Sequence, residues 1–222
     1  MVALLSMPAI AIEAFRYNGV HNDHPITLTT TFETTNGVTN IRSIIESEKI
    51  AETNTTVVRN GRMIEMTQET KNVIDSEYFD WHVISVDDGY HVTFDDHRYD
   101  MQFEATISDK TPMSLQGLIY RVRNEQLVIG KEMTANIIIP WKTVVPVKFV
   151  VKSIDIIELK NHVIPCFKLQ LKIDHFLGQL LPKSTLWVSK APPHFLVRQT
   201  GMNGSYELES WPNDNNHEPS EL

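Results

Sequence analysis

Three groups of residues have types and spacings that could do chemistry. His162 and Cys166 pair a base with a thiol, the makings of a cysteine nucleophile. Four residues apart on an extended strand, they stand roughly 13 Å from each other, beyond hydrogen-bond reach. A buried thiol packed as a small hydrophobe is the better reading. His21-Asn22-Asp23-His24 offers two imidazoles and a carboxylate, and an i, i+3 pair can share a metal on a helix. Pro25 follows at once and Asn22 favours a turn, so the segment reads as a solvated loop and no metal site is assigned. Asp95-Asp96-His97-Arg98 with Asp100 gathers carboxylates around a histidine where a hairpin has to turn, and aspartate is common there for its bonds to backbone.

The chain carries no Gly-x-Ser-x-Gly elbow, no phosphate-binding glycine loop and no His-Glu-x-x-His. No catalytic residue and no cofactor is therefore assigned, and the chain reads as a non-enzyme; carboxylates brought together only by the fold would leave no such trace. Asn54-Thr55-Thr56 and Asn203-Gly204-Ser205 match the glycosylation sequon. Cys166 is the single cysteine, which excludes an intramolecular disulfide and a four-cysteine zinc site. A formal net charge of -8 without a run of Lys or Arg argues against a nucleic-acid partner.

With 41% hydrophobic and 22% charged residues over 222 positions, the composition is that of a folded domain, and the length suits one β-rich unit. The expected division is a signal remnant or N-terminal segment over 1–20, a single β-rich domain over 21–211 and a disordered acidic tail over 212–222. The apolar opening closes on Ala9-Ile10-Ala11, the small-x-small pattern of a signal-peptide cleavage site, although no Lys or Arg precedes Arg16. A periplasmic or extracellular location is the expectation, with the cytoplasm as the alternative. No later segment is long and apolar enough to span a membrane as a helix.

Hairpin signals recur along the chain. Asn36-Gly37 and Asn60-Gly61 supply the positive φ angles of type I′ turns, and Asp87-Asp88-Gly89 separates two further strand-like runs. Tyr99, Met101, Phe103, Ala105 and Ile107 alternate with polar residues, as do Phe167, Leu169, Leu171 and Ile173. One segment changes period: Leu115, Leu118, Ile119 and Val122 mark a helix over 112–123, with Thr111 as N-cap before Pro112. The fold class that follows is mainly β, a curved antiparallel sheet forming an incomplete barrel that wraps one helix. The run 137–151 is apolar at neighbouring positions, so both faces of its strands need a cover. That cover is the helix or a second layer of protein, or else a bound apolar ligand.

From Leu115 to Gly201 the order of features resembles an uncharacterised family of bacterial envelope proteins sharing the open half-barrel of the periplasmic lipoprotein-localisation carriers. The helix Leu115-Gln-Gly-Leu-Ile-Tyr-Arg-Val-Arg123 is similar to that family's aromatic, arginine-ended helix, and Leu127-Val-Ile-Gly130 to the stretch after it. Ile156-Ile-Glu158, Pro165-Cys-Phe-Lys-Leu-Gln-Leu171 and the tryptophan-led Leu186-Trp-Val-Ser-Lys-Ala-Pro-Pro-His-Phe-Leu-Val-Arg198 complete the pattern. The N-terminal half departs from it, with a threonine run where the family has glycine and aromatic residues. The resemblance implies an envelope location and a lipid-binding concavity. The expected function is non-enzymatic binding of an acyl chain or lipid between sheet and helix, with Leu118, Tyr120, Trp141 and Phe149 at the cavity. The alternative is an interaction or scaffold protein with an envelope partner and no cavity.

Overall fold

The computed structural model describes residues 11–74, 76–108, 111–139, 143–160, 162–173, 184–201 and 204–211. The chain runs through β1 (Ala11–His21), β2 (His24–Thr35), β3 (Val38–Glu46), β4 (Ile50–Arg59), β5 (Arg62–Asn72), β6 (Glu77–Val86), β7 (Gly89–Asp96) and β8 (Met101–Ile107). There follow β9 (Pro112–Met113), α1 (Leu115–Arg123), β10 (Glu132–Ile139), β11 (Thr143–Leu159), β12 (His162–Ile173), β13 (Ser184–Ser189), β14 (Leu196–Gly201) and β15 (Gly204–Leu208). All the described strands join one sheet in the order β8-β7-β6-β5-β4-β3-β2-β1-β15-β14-β13-β12-β11-β10-β9. Every pairing is antiparallel except β9 with β10. The two end strands do not pair with each other, so the sheet is an incomplete barrel curved around α1.

The turn residues set the registers. Asn36-Gly37 and Asn60-Gly61 both have positive φ, and they close two-residue hairpins in which Thr35 faces Val38 and Arg59 faces Arg62. Asn22 and Asp23 do the same between His21 and His24, so the candidate metal motif is a hairpin turn. Asp96 accepts from the backbone N–H groups of Arg98 and Tyr99, which is the turn chemistry expected of that acidic cluster.

Two boundaries differ from the sequence expectation. Ala11–His21 is not an N-terminal appendage: Phe15 and Tyr17 point into the core, and β1 pairs with β2 along its length and with β15 from Tyr17 to His21. The remaining parts of the expected leader and tail, 1–10 and 212–222, lie outside the described residues. The helix starts later than Thr111 suggests, because Pro112 and Met113 pair with Asn136 and Ile137 as β9. Ser114 is the N-cap; its hydroxyl accepts from the Gly117 N–H at 2.9 Å and meets Thr56 Oγ1 at 2.8 Å.

Helix α1 turns Leu118 and Val122 into the larger core, with Phe149, Val151, Leu169 and Leu186. A second cluster gathers Met63, Met66, Trp81, Val83, Tyr90, Val92 and Phe94 on the inner face of β5–β7. Ile138 belongs to this second cluster and Ile137 to the first, so neighbouring residues of β10 are buried on opposite faces. The second face of the apolar run, at Ile138 and Val144, is thus covered by the protein's own strands.

The β1–β15 seam leaves no room for a side chain at Gly19, where an added Cβ would stand 2.1 Å from the Ser205 carbonyl oxygen. Gly19→Ala is expected to destabilise by roughly 2–3 kcal/mol in urea unfolding. Gly37→Ala strains only an open turn with φ +74 and is expected to cost about 1 kcal/mol; equal losses at the two sites would refute the tight seam.

Candidate functional site

Inward positions of β1 to β4 form the floor of a cavity beneath α1. Cross-strand pairing aligns Tyr17, Leu28, Ile45 and Glu52 in one row, Phe15, Thr30 and Ser43 in the next, and Phe32 and Ile41 in a third. Leu115, Gln116, Ile119 and Arg123 of α1 supply the roof, and β14, β15 and the residues preceding β14 close one side. The space is about 370 Å³, within the range of small-molecule sites, and its wall is mostly apolar.

The cavity's two charged side chains are held differently. Arg123 is buried, pairs with Glu13, and lies against the rings of Phe15, Phe32 and Phe195 with centroids 5.6, 4.6 and 4.9 Å from the guanidinium carbon. Its positive charge is neutralised within the protein. The stretch beside it is pinned to the helix end: the His194 N–H donates to the Arg123 carbonyl at 3.0 Å. The His194 ring nitrogens face the carbonyls of Ser189 and Glu125 at 2.7 and 3.0 Å.

Glu52 is half-buried on the floor, and no hydrogen bond or ion pair to its carboxyl is found among the described residues. Burial, reinforced by the charge of Glu77 and opposed by His21, pushes its pKa up to about 7. Burial also raises Tyr17 and, with a contribution from Glu52, Tyr206, whose hydroxyl donates to Gln199 Oε1 at 2.6 Å. The chemistry on offer is an apolar chamber with one carboxyl able to carry or give up its proton near neutral pH.

The residues singled out from sequence lie elsewhere. Leu118 and Phe149 are packed inside the core, and Tyr120 stacks on Phe32 while its hydroxyl meets Thr39 Oγ1 at 3.0 Å. None of the three is on the cavity wall, which the same helix lines with Leu115, Gln116 and Ile119. Trp141 lies outside the described residues. Cys166 is fully buried, donates to the Ile164 carbonyl, and is pushed up to about 12 by burial, which keeps it a thiol. Its strand-mate His162 is four positions away on β12. His97 binds Asp80 at 2.8 Å, and that hydrogen bond raises its pKa. Among the described residues no group of three or more His, Cys, Asp or Glu could hold a metal. Asn54 is buried and donates to Gln68, so its sequon is closed to a glycan in the folded chain; Asn203 lies outside the described residues.

No protein-family model matches the chain, and the search of curated proteins finds no match. Among solved structures, the chain is similar to the crystal structure of a β-barrel-like protein of the domain of unknown function DUF1849 from Brucella abortus. The TM-score is 0.54 at 9% sequence identity, over 89% of this chain and 94% of that one. At that identity the similarity shows the fold, a barrel-like sheet.

Because native Glu52 keeps its proton to higher pH than an unfolded glutamate, the folded state binds the extra proton between about 4.5 and 7. Stability therefore falls as pH rises through that window. Glu52→Gln is expected to flatten this fall and, above pH ~8, to stabilise by roughly 2 kcal/mol after discounting for partial exposure. Urea unfolding across the range checks it, and an unchanged pH slope in the variant would remove Glu52 as the cause.

Proposed function

We propose that this is a non-enzymatic binding protein of the cell envelope, which holds an apolar ligand such as an acyl chain or lipid between its curved sheet and its helix. The observation that carries this reading is the cavity under α1, with Phe15, Leu28, Phe32, Ile41 and Ile119 on its wall. A space of about 370 Å³, partly open to solvent and with a mostly apolar wall, has the size and chemistry of a site for a small apolar ligand. The resemblance of 115–201 to envelope proteins related in fold to lipoprotein carriers agrees with this choice of ligand and place. The small-x-small pattern agrees as well: it ends at Ala11, the first residue of β1, so cleavage after it would leave Ile12–His21 of that strand in the sheet. Catalysis is no part of the reading, since the one thiol is buried as a thiol and both ring nitrogens of His194 face backbone carbonyls.

A second reading, an interaction protein, is favoured by β8. Among the described residues this strand pairs only with β7, and its other edge, close to exposed Tyr99 and Met101, offers backbone groups to another strand. Light scattering during size exclusion separates a self-associating edge from a monomeric carrier.

Native mass spectrometry of protein purified from its own host, with solvent extraction, is expected to reveal a stoichiometric adduct of lipid size. Diphenylhexatriene, a neutral apolar probe, is expected to gain fluorescence on binding, and Ile119→Trp, which fills the cavity from the helix side, to weaken that binding at least tenfold. A clean mass together with no probe uptake would reject the cavity as a ligand site.

The location has its own check: N-terminal sequencing of protein recovered from an envelope fraction is expected to begin at Ile12. Recovery solely from the cytoplasm with the opening residues retained would reject export.

A further inference from the structure

The cavity's polar atoms indicate which headgroup an amphiphilic ligand carries, an inference that rests on the apolar-ligand reading above. A carboxylate headgroup needs an unengaged cation or a set of N–H donors. Arg123, the cationic side chain on the wall, is engaged by Glu13 and enclosed by three aromatic rings. The Thr30 and Ser43 hydroxyls on the floor bond to each other at 3.1 Å. The Tyr206 hydroxyl donates its hydrogen bond to Gln199 Oε1.

Of the wall's two formally charged side chains, the one without a hydrogen bond or ion pair among the described residues is the Glu52 carboxyl, a pure acceptor when ionised, whereas the Tyr17 hydroxyl and the Gln116 amide on the same wall are neutral. It stands at the end of the row Tyr17–Leu28–Ile45–Glu52, so an alkyl chain lying along Leu28 and Ile45 would bring its head to this carboxyl. We propose that the cavity selects amphiphiles whose headgroup is an amine or ammonium, with Glu52 as the counter-ion, and discriminates against those ending in a carboxylate.

The other titratable groups facing Glu52 modulate this preference. Glu77 adds negative potential and His21 opposes it when protonated. Tyr206 keeps its proton, since burial and the neighbouring Glu52 both raise it. An ammonium head would replace the proton that Glu52 otherwise retains near neutral pH, so the preference for amine is greatest above pH ~7 and declines as the carboxyl protonates.

Displacement of diphenylhexatriene from the purified chain by dodecylamine, dodecanol and dodecanoate tests this. Above pH ~8 the amine is expected to bind at least about tenfold more tightly than the alcohol, and the alcohol more tightly than the carboxylate. Glu52→Gln is expected to bring the amine-to-alcohol ratio close to one. Should that variant fail to fold, the same ratio measured on the unaltered chain near pH 5 is expected to shrink in the same way. Equal displacement by all three amphiphiles, or preference for dodecanoate, would overturn the amine assignment while leaving the apolar site intact. Failure of diphenylhexatriene itself to bind would instead overturn the apolar-ligand reading on which the assignment rests.

Discussion

The antiparallel pairing of β1 with β15 is the contact on which the rest of the architecture depends. It joins an N-terminal run of successive hairpins, β1 to β8, to a C-terminal run, β9 to β15, into a single sheet, and it does so between Tyr17 and Leu208 at opposite ends of the chain. Within each run the neighbours are mostly local and their turns are encoded by a few residues. The seam has no such help, because its loop closure spans nearly the whole chain and its ordering cost comes before any contact rewards it. Its stability rests on shape. Gly19 lets the backbones approach, Tyr17 meets Tyr206 edge-on at 5.7 Å, and Arg16 reaches Glu209 at 3.2 Å across the outside. The cavity lies across this seam, with β1 to β4 on one side and β14 and β15 on the other. A ligand there would touch both halves and stabilise their union by mass action.

Why a cavity exists follows from the imbalance between sheet and helix. Helix α1 has nine residues and is about 13 Å long, too short to cover the concave face of a sheet this wide. Over β5–β7 the sheet covers itself, bringing Ile138 and Val144 of β10 and β11 onto Met63, Trp81 and Phe94. Over β10 to β13 the helix lays Leu118 and Val122 on Phe149 and Leu169. Between these two solutions the helix meets β2 to β4 at Phe32, Thr39 and Thr56, and Thr30, Ser43 and Glu52 are left facing the cavity. Polar side chains that would need partners if packed against leucines sit where the packing stops.

The hairpins and the mainly β, open-barrel architecture were legible in the sequence because their signals are local. Asn-Gly pairs demand type I′ turns, and alternation in Met101–Ile107 fixes which residues face inward. The helix was legible from its period, yet its cap was not. Ser114 wins over Thr111 because Pro112 and Met113 are taken by pairing with β10, a tertiary contact that no local rule reports. Strand β1 was hidden by its apolar opening, which reads equally well as a leader. The cavity was harder still. Leu118 and Phe149 stand out as apolar, and the same property buries them in the core, whereas a binding wall is built from rows that cross strands far apart in sequence. One trace was present: Glu52 occupies an inward position between Ile50 and Asn54. A charge at that parity in a half-buried strand is a departure from pattern worth following.

The inner face has two ways of tolerating polarity, and the difference between them locates the function. Asn54, Thr56, Gln68 and Thr70 are linked by hydrogen bonds across β4 and β5, and Thr56 reaches on to Ser114 at the helix cap. That network is satisfied internally and serves to fix the helix on the sheet. Arg123 is likewise satisfied, by Glu13 and aromatic rings. Glu52 is adjacent to this network in the same strand, yet no hydrogen bond joins it to the network among the described residues, and burial raises its pKa by more than His21 offsets. A protein selected for stability alone would replace such a carboxyl with glutamine or leucine, since burying an unpaired charge costs more than any packing it provides. Its position beside an apolar space is the arrangement in which a destabilising group gains its partner from outside the chain.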